Sequence, residues 1–180
     1  MKPLPGPFRI VVMGVAGCGK STLARAVASA LGCRYVEGDD YHLPESQRKM
    51  HDGIALTDDD RWPWLDRLGD LLKEDAGGAS LVLSCSALKR RYRDRLRERS
   101  GAELRFVFVD IDREEAARRV GSRPGHLFPT SLVASQFEAL ESPLGEPGVL
   151  AVPAVESTER QVDDVLRWLG RGDAPSGSAG

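Results

Sequence analysis

The sequence predicts an α/β domain of three layers, with a parallel five-stranded sheet flanked by helices. Five short apolar segments occur along the chain, and each is followed by a stretch with the residue pattern of a helix. Strands and helices that alternate in this way form parallel sheets through right-handed crossovers. A glycine-rich loop lies between the first strand and the first helix. Ligands of such sheets bind beyond the carboxyl ends of the strands, so the loops that follow the first three strands are expected to carry the function.

Strands are predicted at short runs of apolar, often β-branched residues, which are typical of buried parallel strands. They cover residues 8–13, 34–36, 81–83, 104–111 and 148–152. Helices are predicted where strong helix formers, or apolar residues at spacings of three and four, follow a strand. They cover residues 21–31, 61–72, 88–99, 113–120, 130–140 and 158–169. Gly32 and the Gly77-Gly78 pair are expected to end the first two helices.

Composition and charge exclude several classes of protein. The 180 residues include 25 Lys and Arg against 27 Asp and Glu, a net charge of −2 that argues against a globally basic nucleic-acid binder. No apolar run approaches the ~20 residues that a membrane helix needs. The three cysteines form no close pair, which argues against a disulfide framework or a Cys-rich zinc site. We therefore expect a soluble, cytoplasmic protein that binds neither membranes nor nucleic acids.

One domain is expected, over residues 8–170. Residues 1–7 carry three prolines and are interpreted as a flexible lead-in. Residues 171–180, with the sequence RGDAPSGSAG, are interpreted as a disordered tail.

The glycine-rich loop matches the phosphate-binding pattern G-x-x-x-x-G-K-[ST] in full, with a strand before it and a helix after it. Its backbone N–H groups and the helix N-terminus are suited to cradle phosphates. Lys20 is expected to reach the β- and γ-phosphates, and Ser21 to bind Mg²⁺. The pattern therefore predicts a three-layer P-loop NTPase fold that uses ATP and Mg²⁺. The predicted nucleotide-binding residues of this loop are Gly14, Val15, Ala16, Gly17, Cys18, Gly19, Lys20, Ser21 and Thr22.

Cys18 is the unusual residue of the loop. A thiol at a helix N-terminus tends to have a lowered pKa, so one hypothesis is that oxidation or alkylation of Cys18 blocks ATP binding. The alternative is that Cys18 is a small side chain that only fills space.

The residues after the second and third strands indicate what is done with the nucleotide. The third strand ends in Leu83-Ser84-Cys85-Ser86, without the acid that hydrolysing motors and switches usually place there. Acids instead follow the second strand, in Glu37-Gly38-Asp39-Asp40. The chain is also short, with room for one compact acceptor site and a lid. This combination predicts a small-molecule kinase.

Several further segments together resemble the gluconate kinases (gluconokinases), which are relatives of shikimate and nucleoside monophosphate kinases. The resemblance covers about residues 8–170, and its most specific parts are the stretches D-D-D-R-x-P-W-L and C-S-A-L-K. The matching segments are Gly38-Asp39 with His42, Lys49-Met50, Gly53, Leu56 to Arg61, Pro63 to Leu65, Cys85 to Lys89, Tyr92-Arg93, Arg123, Gly125-His126, Ser135 to Phe137 and Leu140-Glu141.

This resemblance implies transfer of the ATP γ-phosphoryl group to the 6-hydroxyl of D-gluconate. The product would be 6-phospho-D-gluconate, which feeds the pentose phosphate or Entner–Doudoroff route, and the family suggests a homodimer. Two departures from the family stand out. Glu37 replaces the usual Asp, which leaves its role open, and Leu43 separates His42 from Pro44.

Asp39 is the candidate base that positions or deprotonates the acceptor hydroxyl, because phosphoryl transfer needs positioning more than strong base chemistry. Glu37 is expected to hold Mg²⁺ through water. The guanidinium of Arg61 can bind the substrate carboxylate with two hydrogen bonds. His42 and Lys49 are candidates for binding hydroxyls or the carboxylate. By contrast, Asp58 to Asp60 are expected mainly to cap the following helix.

The remaining candidates are basic. Lys89 and Arg93 are expected to face the anionic substrate, while the other arginines of their helix face solvent. Arg119 and Arg123 are placed in a short lid after the fourth strand. Lid arginines can neutralise charge on the transferring phosphoryl group, and closure excludes water. Arg119 is assigned to the nucleotide and Arg123 to catalysis.

Two other functions remain open at this point. One is a related P-loop kinase that acts on another small acceptor, shikimate-like or a nucleotide. The other is a nucleotide-binding regulator or RNA-binding protein that uses the basic helix. Such a regulator would bind nucleotide without acceptor-dependent turnover, and RNA binding would weaken steeply with salt.

Overall fold

The computed structural model describes residues 4–74, 78–122 and 131–171. Its strands are β1 (Arg9–Met13), β2 (Arg34–Glu37), β3 (Leu81–Ser84), β4 (Leu104–Asp110) and β5 (Val149–Pro153). Its helices are α1 (Lys20–Leu31), α2 (Pro44–His51), α3 (Asp58–Glu74), α4 (Arg90–Ser100), α5 (Arg113–Ser122), α6 (Ser131–Ala139) and α7 (Thr158–Gly170). A 3₁₀ turn, Gly38–Tyr41, follows β2.

The strands form one parallel sheet in the order β2-β3-β1-β4-β5. This confirms the predicted five-stranded parallel sheet flanked by helices. β1 occupies the centre because its five residues are all buried and can be covered on both faces. The loop after β1 is therefore next to the loop after β3, and the loop after β2 lies one strand further along. These are the three loops in which the sequence predicts the candidate site.

The two faces of the sheet bury two separate apolar cores. Ile10 and Val12 of β1 point into a core shared with α1 and α7. Val11 and Met13 point into the opposite core, which α3 and α4 complete with Trp64 and other apolar residues. This alternation follows from the period of two in a strand. The helices thus cover both faces, as a three-layer domain requires.

Acidic residues of α3 form ion pairs with arginines of α4, the helix whose sequence is strongly basic. Thr57 and Asp60 form a capping box at the start of α3: Asp60 N–H donates to Thr57 Oγ1 at 3.2 Å, and Thr57 N–H to Asp60 Oδ2 at 2.9 Å. Arg95 on α4 donates to Asp66 on α3 at 2.6 Å, and Arg91 donates to Asp58. The acids of α3 therefore neutralise a face that could otherwise be taken for a nucleic-acid surface.

Two elements were not predicted. α2 has the sequence PESQRKMH, whose only buried residue is Ser46, so no apolar stripe marks it. The 3₁₀ turn over Gly38–Tyr41 was interpreted as a loop. α3 also begins three residues before the predicted start, because the capping box uses Thr57.

Some sequence predictions concern parts of the chain that the structure does not describe. The lid around Arg123 and most of the proposed tail lie outside the described residues. Of the lead-in, Leu4 packs against the core that contains α7. Within the described ranges, none of the helices has the length and apolar character needed to cross a membrane.

Candidate active site

A large cavity of about 1090 Å³ opens at the carboxyl ends of β1, β2 and β3. Its walls come from the glycine-rich loop, the segment after β2, α2 with the residues that follow it, the start of α4, and α6. The lining residues are Ala16, Gly17, Lys20, Ser21, Asp39, His42, Pro44, Gln47, Arg48, Met50, His51, Ile54, Ala55, Leu56, Arg61, Ser86, Lys89, Tyr92, Leu132, Ser135, Gln136 and Ala139. The cavity thus joins the predicted phosphate cradle to the predicted acceptor site.

The glycine-rich loop owes its path to close backbone approaches. Gly14 has a φ of +151°, and a Cβ there would lie 2.7 Å from the Cys18 sulfur. Gly17 has a φ of +82°, and its Cβ would lie 2.9 Å from the Ala116 carbonyl oxygen. Neither position can hold a side chain without displacing its neighbours. The loop is therefore fixed between α1 and α5, with its open side towards the cavity.

Lys20 lies at the first position of α1 and lines the cavity. Burial disfavours its charged form, but nearby acidic groups, Cys18, Asp39 and Glu37, outweigh burial and raise the pKa of Lys20. The ammonium group therefore stays protonated at neutral pH. A fixed positive charge beside helix N–H groups is suited to bind phosphate.

Behind Lys20, four polar side chains form a connected network. Tyr35 Oη donates to Glu37 Oε2 at 2.6 Å, and Ser84 Oγ donates to Glu37 Oε1 at 2.9 Å. The side chain of Ser21 is also hydrogen-bonded to Glu37. Burial raises the pKa of Glu37, but the hydrogen bonds from Tyr35, Ser21 and Ser84 lower it by more. The net shift of the Glu37 pKa is therefore downward. The structure thus brings both predicted Mg²⁺ residues, Ser21 and Glu37, together.

This network fits a magnesium ion that is held mainly by nucleotide phosphates. Mg²⁺ usually keeps several waters and takes only one or two protein oxygens in such sites. The Ser21 hydroxyl borders the cavity, whereas Glu37 stands behind it and is an ionised carboxylate. If such an ion binds, Ser21 would be the residue to hold it, and Glu37 would act through the Ser21 hydroxyl or through water.

Asp39 stands at the floor of the cavity, in the 3₁₀ turn after β2. Its side chain keeps 57% of its surface open to solvent, yet protein surrounds it on several sides. Reduced hydration raises the pKa of the carboxyl, and the charge of Lys20 partly opposes this. Glu37 Oε1 accepts a hydrogen bond from Asp39 N–H at 3.4 Å, which helps to fix the turn.

His42 and Trp64 hold the acceptor side of the cavity in place. The two rings stack with centroids 4.0 Å apart, and Trp64 Nε1 donates to the Gly38 carbonyl at 2.8 Å. Burial, together with the charge of Arg61, lowers the pKa of His42 to about 4. The imidazole is therefore neutral, and its buried Nδ1 has no hydrogen-bond partner among the described residues.

Arg61 lines the same cavity from the first turns of α3. Its guanidinium lies 5.3 Å from the centre of the Tyr92 ring, and its buried Nε has no partner among the residues that the structure describes. Lys89 also lines the cavity and pairs with Asp58 at 3.2 Å. The predicted substrate residues Asp39, His42, Arg61 and Lys89 are thus brought together.

Arg93 is a correction to the sequence analysis, which directed it towards the substrate. Its side chain is fully buried and does not border the cavity. The guanidinium donates to Glu146 Oε2 at 2.6 Å and to the carbonyls of Ala87 and Leu88 at 2.8 and 3.0 Å. Because all of its donors point into the protein, Arg93 is a structural residue that connects α4 to the segment before β5.

Lys49 is a second correction. Its ammonium pairs with Asp60 at 2.9 Å and does not border the cavity. The neighbouring residues Gln47, Arg48 and His51 line the cavity instead. Sequence reasoning missed them because α2 has no apolar periodicity from which its orientation could be deduced.

The hypothesis of a reactive Cys18 is also wrong in its premise. The thiol is only 2% exposed, and burial raises its pKa, although Lys20 and the helix N-terminus oppose this. The side chain packs against Gly14 and so fills space within the loop.

The two nucleotide-side arginines have different outcomes. Arg119 on α5 lies beside the glycine-rich loop: it donates to the Gly17 carbonyl at 3.5 Å and to the Ala154 carbonyl at 3.1 Å. Arg123 lies outside the described residues. Thr22 follows Ser21 on α1 but is not part of the cavity lining.

Comparison with known proteins identifies the family. A family model described as an AAA domain matches residues 10–147. A gluconokinase of Gluconobacter oxydans is 43% identical over 164 residues, which cover 91% of this chain and 89% of that protein. The chain belongs to the gluconokinase family.

Solved structures place the fold in the same family. A gluconokinase from Sinorhizobium meliloti 1021 superposes with a TM-score of 0.83 at 47% identity, and covers 92% of this chain and 93% of that one. An APS kinase from Mycobacterium tuberculosis superposes with a TM-score of 0.67 at 18% identity, which shows a shared fold alone. Family membership also confirms the kinase predicted from the acids after β2.

Proposed function

We propose that this gluconokinase-family protein transfers the γ-phosphoryl group of ATP to the 6-hydroxyl of D-gluconate, with 6-phospho-D-gluconate and ADP as products. One observation carries the proposal: the phosphate cradle and the acceptor residues Asp39, Arg61 and Lys89 line a single cavity. A triphosphate bound at Lys20 would present its terminal phosphoryl group towards Asp39. The choice of D-gluconate as the substrate is inferred from the family to which the chain belongs.

In this reaction the protein supplies charge and position rather than covalent chemistry. Lys20 neutralises the phosphates. A magnesium ion bound with the nucleotide would be held by Ser21, with Glu37 behind it, and would supply further positive charge to the phosphates. Asp39 accepts a hydrogen bond from the attacking hydroxyl and takes its proton as the phosphorus–oxygen bond forms. The raised pKa of Asp39 makes it a better proton acceptor than an ordinary carboxylate.

The sugar acid is recognised by the cavity residues on the acceptor side. Arg61 binds the carboxylate, since its buried Nε has no partner among the described residues and a guanidinium fork matches a carboxylate. The neutral His42 offers its ring nitrogens to hydroxyl groups. Lys89 and Arg48 add positive charge at the same wall. Arg119 and the lid residue Arg123 act on the nucleotide side.

The wider setting is part of the same proposal. The enzyme works in the cytoplasm, where its three free cysteines would stay reduced. Its product enters the pentose phosphate or Entner–Doudoroff route, and a homodimer follows from the family resemblance. A nucleotide or shikimate-like acceptor is the less favoured alternative, because the segments after β2 and β3 carry the gluconokinase pattern.

The decisive experiment is ADP release from Mg-ATP, measured alone and with D-gluconate, shikimate, D-glucose or nucleoside monophosphates. Strong stimulation by gluconate only is the expected result. Stimulation by a different acceptor would keep the kinase activity and overturn the assigned roles of Arg61 and Lys89. Retained ATP binding with no stimulation by any acceptor would contradict the proposed function.

A further inference from the structure

Gln136 connects α6 directly to the phosphate cradle. The backbone N–H of Ala16 donates to Gln136 Oε1 at 2.6 Å, although the two residues lie 120 positions apart in the chain. Ala16 belongs to the glycine-rich loop, and both residues line the cavity. The sequence analysis matched Gln136 to the family pattern without giving it a role.

This contact fixes which way the carboxamide points. A backbone N–H can only donate, so the group that faces Ala16 must be the carboxamide oxygen and the NH₂ must point elsewhere. No described residue accepts a hydrogen bond from that NH₂. Since Gln136 lines the cavity, its two N–H donors are available to a ligand that binds there.

The position of the helix is determined independently at its other end. The N–H of Glu141 donates to the Leu88 carbonyl at 2.8 Å, and Glu141 Oε1 accepts from the N–H of Arg90 at 2.7 Å, where α4 begins. Leu132 and Val133 of α6 are buried. The helix is therefore held between the phosphate loop and α4, and Gln136 is not on a loosely attached segment.

We propose that Gln136 is a catalytic residue that donates a carboxamide N–H to the γ-phosphoryl group of the bound triphosphate. The inference rests on the proposed function, because it assumes that the cavity receives a nucleoside triphosphate. Lys20 and Ser86 both line the cavity. The Ser86 carbonyl accepts a hydrogen bond from the N–H of Gly14, so the start of the glycine-rich loop adjoins the segment after β3 on the acceptor side. A donor already fixed there adds electrostatic stabilisation without reorganisation during the reaction.

Two variants separate donation to the phosphoryl group from support of the loop. Gln136→Glu keeps an oxygen that can accept from Ala16 N–H but loses the donors, whereas Gln136→Met loses both. Glu138→Gln, an exposed position on the same helix, is the matched control. Affinities for Mg-ADP and for a non-hydrolysable ATP analogue are measured by calorimetry without gluconate, alongside thermal unfolding.

The proposal expects Gln136→Glu to weaken analogue binding by roughly tenfold or more, with a change in ADP binding below about twofold. The variant loses a hydrogen bond to a charged group and adds a negative charge that repels the γ-phosphoryl group. Steady-state kcat should fall more than KM for gluconate changes. If Gln136→Met weakens both nucleotides equally while Gln136→Glu changes neither, Gln136 only supports the loop and the proposal is wrong. Wild-type protein that binds the analogue without gluconate-dependent turnover would instead contradict the proposed function.

Discussion

At the scale of single residues, the site shifts the pKa values of His42 and Asp39 in opposite directions. Nε2 of His42 and Oδ1 of Asp39 lie 3.8 Å apart, too far for a hydrogen bond that would hold the imidazole charged. The pKa of His42 is lowered and that of Asp39 is raised, both mainly by loss of hydration. Burial therefore disfavours charge on both groups, and a neutral imidazole stands beside a carboxylate of increased basicity.

The lowered pKa of His42 predicts an acid-sensitive fold. Between pH 6.5 and about 4 the unfolded chain binds a proton that the folded chain excludes, so stability falls as the pH drops through this window. The loss reaches about 3 kcal/mol at the acid end. Urea unfolding of wild type and His42→Gln across this range should show a shallower pH dependence in the variant. Parallel pH profiles would contradict the prediction.

The raised pKa of Asp39 has the opposite effect on stability as the pH falls. Above its usual range the folded chain holds a proton more tightly than the unfolded chain, so ionised Asp39 at neutral pH weakens the fold. Asp39→Asn should therefore raise the free energy of unfolding at pH 7 while kcat falls by roughly 10² or more. A destabilised variant would show that activity was lost through misfolding, and unchanged kcat would remove Asp39 from catalysis.

At the scale of elements, α2 determines which of two adjacent cations meets the substrate. Arg48 lines the cavity and is exposed, and no described carboxylate pairs with it. Lys49 points away and pairs with Asp60 at 2.9 Å. The ion pair with Asp60 directs Lys49 towards the start of α3, so Arg48 is the one of these two cations that lines the cavity.

Arg48→Ala should consequently raise KM for gluconate about tenfold, because a charge-assisted hydrogen bond to the carboxylate is lost. Lys49→Ala is the matched control and should change KM by less than about twofold. Both are measured by steady-state kinetics at saturating Mg-ATP. The reverse order of effects would mean that α2 is rotated in the enzyme–substrate complex.

The second element-scale prediction concerns the buried ion pair of α4. Glu146 is 4% exposed, and Arg93→Ala would leave it with Arg97, at 3.1 Å, as its one charged partner among the described residues. Breaking a buried pair costs about 3–5 kcal/mol in unfolding free energy. Arg95→Ala, which removes a pair with Asp66 that is partly open to solvent, should have a smaller effect. Equal losses in the two variants would contradict a structural role for Arg93.

The comparison of sequence and structure also belongs to the element scale. The alternation of apolar strands and helices predicted the sheet, and the loop from Gly14 to Ser21 predicted the cradle, because both are local patterns. α2 was missed since it has no apolar stripe and its buried residue is the polar Ser46. Arg93 was misassigned because its partner, Glu146, lies 53 residues away and no local pattern connects them. The distance in the chain also explains why Gln136 was given no role.

At the scale of the whole molecule, binding of the acceptor should increase the free energy of unfolding. A ligand that binds only the folded chain stabilises it by about 2.7 kcal/mol at 100 times its Kd. D-gluconate should therefore raise Tm in a concentration-dependent way, because Arg61 and Arg48 contribute positive charge to the cavity. D-glucose, which lacks the carboxylate, should leave Tm unchanged at the same concentrations. Equal shifts with both sugars would contradict recognition through the carboxylate.

The contact between Trp64 and the turn after β2 makes the protein its own optical reporter. Trp64 is 1% exposed, its indole N–H holds the Gly38 carbonyl, and its ring lies against His42. Any displacement of the turn that carries Asp39 changes the surroundings of this chromophore. Two other tryptophans, Trp62 and Trp168, are present, and replacing them with phenylalanine would leave one emitter at the acceptor side. Arrival of the sugar acid could then be followed in real time without an attached dye.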